Sequence, residues 1–270
     1  MSWDERQRAM LAEMGFRLPA GGAAAEAAAV EAAEPEPIVV AAPPAPVMRV
    51  SPPAPALRAP VPAPAPLPSP AAAAAPVPVA FEGLDLPALR EAVAACQGCG
   101  LCAQRRQAVF GSGAVQQASW LVVTDPPDEP DDASGELLGG DAGRLLDRML
   151  HAVGERRAGD EASAFVTPLV KCRPPRGRAP QPAELAACEA VLARQVELLQ
   201  PRLVLAMGLQ AARRLTGSTE PLGRLRGQVH RWRGLPVVVT FAPGYLLRAG
   251  ADKAAAWDDL RLARLTAQTP

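Results

Sequence analysis

From Phe81 onward the apolar residues fall into two rhythms. Trp120-Leu-Val-Val123, Ala164 to Val170, Leu203-Val-Leu-Ala-Met207 and Pro236-Val-Val-Val-Thr240 are short unbroken apolar runs. Continuous apolarity over so few residues suits strands covered on both faces of a parallel sheet. Between them, Asp141 to Val153, Ala183 to Leu199 and Leu209 to Leu215 place apolar residues at helical spacing, and Leu86 to Ala95 and Ala251 to Leu265 add a helix at each end. Strand and helix in alternation predict a three-layer α/β/α domain around a central four-stranded parallel sheet. In such folds ligands bind beyond the carboxyl ends of the strands. Those ends are Thr124 to Asp132, Thr167 and Pro168, Gly208, and Phe241 to Arg248.

Before this domain the pattern changes. Ala and Pro dominate residues 19–80, as in Ala41-Ala-Pro-Pro-Ala-Pro46 and Pro60-Val-Pro-Ala-Pro-Ala-Pro66. A segment of that composition buries too little apolar surface to offset its chain entropy, so it predicts a disordered, semi-stiff tether. Residues 1–18 carry Trp3, Met10, Leu11 and Met14 on one side of a short helix. Two readings stay open there: a frayed terminus, and a docking peptide for a protein partner spanning residues 3–16. The predicted organisation is therefore 1–18 amphipathic peptide, 19–80 linker and 81–270 folded domain.

Charge narrows the partners. The chain holds 28 basic and 28 acidic residues, so no global field steers it towards nucleic acid. Any DNA contact has to come from local arginines. The N-terminus Met1-Ser-Trp-Asp-Glu-Arg lacks the apolar run of a signal peptide or membrane anchor, which predicts a cytoplasmic protein with no membrane association. The chain is also expected to be a monomer.

In a reducing compartment five cysteines read as ligands or buried thiols rather than disulfides. Cys96-Gln-Gly-Cys99 and the pair Cys172 and Cys188 can close a tetrahedral zinc site or hold a [4Fe-4S] cluster. Cys102 adds a further C-x2-C step, and spacing alone leaves iron-sulfur, zinc and plain buried thiols open.

The residues around the cysteines say more. Cys96-x-x-Cys99-x-Leu101, Arg106-x-x-Val109-Phe-Gly111-x-Gly113 and Lys171-Cys-Arg-Pro-Pro175-x-x-Arg178-x-Pro180-x-x-x-Glu184-x-x-x-Cys188 together resemble the iron-sulfur (family four) uracil-DNA glycosylases. Gln195, Pro201, Gly208, Arg226-Gly227, Tyr245-Leu-Leu-Arg248 and Lys253-x-x-x-Trp257-x-Asp259-Leu260 extend the resemblance over residues 84–262. It implies Cys96, Cys99, Cys172 and Cys188 as ligands of a structural [4Fe-4S] cluster, with zinc as the alternative and Cys102 unassigned.

Uracil removal needs the base flipped out, gripped by its edge, stacked on a ring and cleaved with its developing charge stabilised. The family motifs that perform these tasks are altered here. Gly-Glu-Ala-Pro-Gly becomes Thr124-Asp-Pro-Pro-Asp128, keeping Pro127 and leaving Asp125 as a weak catalytic candidate. The stacking aromatic corresponds to Leu138, the edge-reading Asn to Pro168, and the charge-stabilising His to Ala242. A proline side chain neither donates nor accepts a hydrogen bond, and leucine offers no π face.

What the resemblance leaves for DNA is Arg173, Arg176 and Arg178, with Arg105, Arg106 and Lys171 nearby, and the wedge Tyr245, Leu246, Leu247 and Arg248. Asp125, Asp128, Glu129, Asp131 and Asp132 are expected to crowd the pocket mouth and repel phosphate. Three functions follow: a DNA-repair or DNA-binding iron-sulfur protein with lost or strongly altered glycosylase activity, an active glycosylase for uracil or another damaged base, and a non-enzymatic interaction module. Gly111-Ser-Gly113 reads as a turn, and His151 and His230 as ordinary helix or loop residues.

Overall fold

The computed structural model describes residues 81–269. The expected peptide over 1–18 and linker over 19–80 lie outside the described residues. Helix α1 (Leu86–Ala95) opens the domain, its N-terminus capped by Asp85, whose carboxylate accepts the Ala88 N–H at 2.9 Å. Strands β1 (Ser112–Gly113) and β2 (Trp120–Thr124) follow, then helices α2 (Glu129–Ser134) and α3 (Gly140–Ala152). Strand β3 (Ala164–Pro168), helix α4 (Pro182–Leu199), strand β4 (Leu203–Met207) and helices α5 (Leu209–Thr216) and α6 (Leu222–Leu225) come next. Strands β5 (Val229–Trp232) and β6 (Leu235–Thr240) and helices α7 (Pro243–Arg248) and α8 (Lys253–Gln268) complete it.

The sheet order is β1-β3-β2-β4-β6-β5. The four expected strands form its parallel centre, with Val122 opposite Val166 on one side and Leu205 on the other. The sheet has six strands rather than four, because β1 and β5 pair antiparallel at the two edges. Neither edge strand has an apolar run to announce it. Ser112–Gly113 is a strand and not the expected turn, and it depends on glycine. A Cβ on Gly113, whose φ is 142°, would lie 2.2 Å from the Ala164 carbonyl oxygen. His230 likewise sits in an edge strand and not a loop.

Alternation along the buried strands feeds two cores. Trp120, Val122, Leu203, Leu205 and Met207 face one layer, with Leu146 and Met149 of α3, Leu246 of α7 and Trp257 and Leu260 of α8. Leu121, Val123, Val204 and Ala206 face the other, with Leu89 of α1, Val191 and Leu192 of α4 and Ala211 and Leu215 of α5. Each such large side chain, fully buried, contributes roughly 1.5–3 kcal/mol over leaving it exposed. Among the described residues no helix is long and apolar enough to cross a membrane.

From β2 the chain moves to β3 on one side and then returns past β2 to β4 on the other. This reversal places the switch point, where such sheets bind ligands, at the carboxyl ends of β2 and β4. Asp125 and Gly208 stand there.

Candidate functional site

The cysteines come together. Cys96 caps the C-terminus of α1, and Cys99 precedes a short 3-10 turn, Gly100–Ala103. Cys172 lies just beyond β3, and Cys188 is buried in the middle of α4. These four and Cys102 line one small cavity with Val93, Gly98, Arg105, Lys171, Ala187 and Val191. The donor set is therefore purely thiol, the soft kind that suits zinc or iron-sulfur. Among the described residues no three His, Cys, Asp or Glu side chains gather closely enough to hold a single metal ion.

The cavity wall is polarised. The Gly98 N–H points at the Cys96 sulfur at 3.3 Å, and Arg105 Nη1 donates to the Cys172 sulfur at 3.4 Å. Burial pushes the Cys172 thiol up to about 11 against the opposing pull of Arg105, and burial also raises Cys99 and Cys188. Lys171 is 2% exposed, and burial draws its ammonium down to about 7. Its Nζ donates to the Pro168 carbonyl and to Gln195 Oε1, each at 3.0 Å, and to the Thr167 hydroxyl. Gln195 Nε2 in turn donates to the Phe110 carbonyl at 3.1 Å. This network ties the thiol cavity to the end of β3.

Beside the cavity, Gln104, Asp132, Arg173, Pro174, Pro175, Arg176 and Arg178 line an open groove of about 590 Å³. Two of its arginines are already paired. Arg173 reaches Glu129 at 3.2 Å, and Arg178 grips Glu184 in a fork of 2.8 and 2.6 Å. Arg178 also holds the Glu184 carboxyl below the usual carboxylate range. Arg176, at φ 56° in the turn between them, is exposed and makes no ion pair among the described residues.

The acids after β2 do not crowd a pocket mouth as expected. Asp128 is the N-cap of α2, and Asp131 and Asp132 are 4% and 5% exposed. Asp131 accepts the Leu138 N–H at 2.8 Å, and Asp132 accepts the Arg106 N–H at 3.1 Å. Burial first, then the nearby Asp128, raises the Asp131 carboxyl. Only Asp128 and Glu129 of the α2 acids remain exposed, and Glu129 is the partner of Arg173. The two inward acids serve backbone donors, a role that no linear pattern announces because it depends on α2 folding back onto residues 106 and 138.

Asp125 is likewise engaged. Its Oδ1 accepts the N–H groups of Gln210 at 2.8 Å and Ala211 at 2.9 Å, so it satisfies the N-terminus of α5. Burial raises its carboxyl although these donors oppose the shift. Thr124 is buried, and its hydroxyl donates to the Asp125 carbonyl at 3.0 Å. Pro127 is buried too. Leu138 has φ 53°, a left-handed conformation, and packs with Phe241 against the same core layer. Pro168 is buried at the end of β3 with its carbonyl taken by Lys171. Ala242 is the N-cap of α7 and brings no side-chain cap.

Next to Ala242 lies an aromatic stack the sequence did not suggest. Phe241 and Tyr245 stack at 5.1 Å, and the Arg226 guanidinium covers the Phe241 ring at 4.1 Å. Arg226 is held by Asp259 at 2.7 Å. Of the wedge residues, Tyr245, Leu247 and Arg248 are exposed, whereas Leu246 is buried in the core and cannot enter a base stack without leaving it.

The uracil DNA glycosylase superfamily profile matches residues 110–261, more than half of the chain. The chain belongs to the uracil-DNA glycosylase superfamily. It is 34% identical over 187 residues to a protein of Pyrobaculum aerophilum named type-4 uracil-DNA glycosylase, covering 66% of this chain and 93% of that relative. A protein of the same name from Thermotoga maritima is 35% identical over 160 residues, covering 58% of this chain and 81% of the relative. That of Saccharolobus solfataricus is 32% identical over 168 residues, covering 61% and 75%.

Proposed function

We propose that this superfamily member is a cytosolic iron-sulfur DNA-repair protein that binds DNA and has lost or strongly altered uracil hydrolysis. The observation that carries this reading is the state of the strand ends. Pro168 stands where an edge-reading amide is needed and its carbonyl is bonded to Lys171. Asp125, the one acid at the switch point, is committed to the α5 backbone. Neither Ala242 nor Leu138 can replace a histidine donor or a stacking ring. Losing one such stabilising donor lowers a rate by roughly a hundred- to a thousand-fold.

Five thiols around one cavity, with the basic side chains of Arg105 and Lys171 and no carboxylate in its lining, favour a thiolate-bound iron-sulfur cluster over a single zinc ion. Cys96, Cys99, Cys172 and Cys188 are the proposed ligands. Bound there, the cluster supplies a rigid crosslink between α1, the segment after β3, and α4. DNA is proposed to run along the arginine groove, with Arg176 meeting a phosphate directly and Arg173 and Arg178 held in place by their carboxylates. Tyr245, Leu247 and Arg248 are proposed as further DNA contacts. The domain acts as a monomer, and residues 3–16 are a proposed docking peptide for a protein partner.

A second reading, a glycosylase retained for uracil or another base, draws on the names of relatives at 34% and 35% identity. Single-turnover base release from oligonucleotides containing uracil or other deaminated bases separates the two. No release above the uncatalysed background is expected. Rapid release would establish the second.

A further inference from the structure

Arg105 carries three bonds that no other arginine of the thiol region makes. Its Nη2 donates to the Ala94 carbonyl at 2.7 Å, and its Nη1 donates to the Cys96 carbonyl at 2.7 Å and to the Cys172 sulfur at 3.4 Å. Ala94 lies in the last turn of α1 and Cys96 is its cap, so these carbonyls lack helical partners and form the negative end of the helix. Cys172 belongs to the connection after β3. One planar fork thus fastens the first cysteine arm to the second while directing its charge at a thiol. Arg106, its neighbour, has an exposed side chain and is anchored only through its backbone N–H to Asp132.

The cavity lining completes the case. It contains two basic side chains, Arg105 and Lys171, and no acid. A [4Fe-4S] cluster in its oxidised form on four thiolates bears a net double negative charge, and charge and hydrogen bonds at the sulfurs set its potential. Lys171 is fixed by Thr167, Pro168 and Gln195, which leaves Arg105 as the cation in direct contact with a sulfur.

We infer that Arg105 is a positioning residue for the cluster, locking Cys172 against the Cys96 arm and raising the cluster's reduction potential through its charge. This rests on the iron-sulfur reading of the cavity. A cation beside the cluster favours the reduced, more negative form, so its removal lowers the potential.

The test uses the full chain purified without oxygen, as wild type, Arg105→Gln, Arg105→Lys and, as control, Arg106→Gln. Iron and sulfide per chain, the rate of iron loss to a chelator, and the midpoint potential are measured. Arg105→Gln is expected to lose iron about 10- to 100-fold faster, the usual cost of removing a group that orients a ligand, and to have a lower potential. Arg105→Lys is expected to lose iron faster but keep a potential nearer wild type, because it retains charge without the fork. Should Arg105→Gln fail to fold, Arg105→Lys still reads the clamp. Wild-type iron loss and potential in both Arg105 variants overturn the inference alone. A wild-type protein that carries zinc and no iron overturns the cluster reading and the inference with it.

Discussion

The carboxylate of Asp125 accepts the backbone N–H of Ala211 at 2.9 Å, and the space it occupies exists because residue 208 is glycine. A Cβ on Gly208 would lie 2.3 Å from the Asp125 Oδ2. The acid that follows β2 is therefore a helix cap, packed where a catalytic carboxylate would need freedom to meet water or substrate.

Capping predicts a stability effect. Asp125→Ala should cost about 1 kcal/mol in denaturant unfolding, whereas Asp125→Asn, an equally good cap by type, should cost less. The pH dependence has a fixed sign. Burial raises the folded carboxyl above its unfolded value, so the native state holds the proton longer, and Asp125's contribution falls as pH rises from about 4 through the folded pKa. That slope should be missing from Asp125→Asn.

Gly113 makes the edge strand β1 fit. Its φ is 142°, and the 2.2 Å that would separate a Cβ there from the Ala164 oxygen leaves no room for a side chain. Gly113→Ala should lower the unfolding midpoint by an amount corresponding to roughly 1–3 kcal/mol, while Gly223→Ala, where a Cβ meets nothing within 4 Å, should not.

Much of this architecture was legible in the chain. The four buried strands announce themselves because both faces are covered, and helices α1, α3, α4, α5 and α8 follow their apolar spacing closely. The edges were not legible: Ser112–Gly113 is two residues long, and Val229–Trp232 alternates exposed and half-buried positions without an apolar run. At the site, the meeting of the cysteines could be expected from their motifs. The inward turn of Asp131 and Asp132 and the three hydrogen bonds of Arg105 could not, since Asp132 meets Arg106 and Arg105 meets Cys172 only once the chain has folded.

Tyr245 is the chain's single tyrosine, so its ionisation can be followed by absorbance without interference from another phenol. Its hydroxyl donates to Asp252 at 2.6 Å, and that bond holds the phenol above its usual value. Asp252→Asn should bring the titration midpoint down, because the carboxylate that opposes phenolate formation is gone. An unchanged midpoint would mean that the pair does not form in solution.

Arg176 is the groove arginine without a carboxylate partner among the described residues. Arg176→Ala should weaken DNA binding and reduce the slope of log affinity against log salt by about 0.7–0.9, one phosphate contact. Glu129→Gln, which releases Arg173 from its ion pair, should strengthen binding. Salt titration of a labelled oligonucleotide by the full chain measures both.

The central question is whether the strand ends grip and cleave a uracil nucleotide. The direct measurement is single-turnover uracil release from a single-stranded oligonucleotide by the wild type and by Pro168→Asn combined with Ala242→His, which supplies an amide and an imidazole at the two positions. The account predicts background release by the wild type and a rate at least about a hundred-fold higher in the double variant. Uracil release by the wild type at a rate the two substitutions leave unchanged or diminish would contradict it.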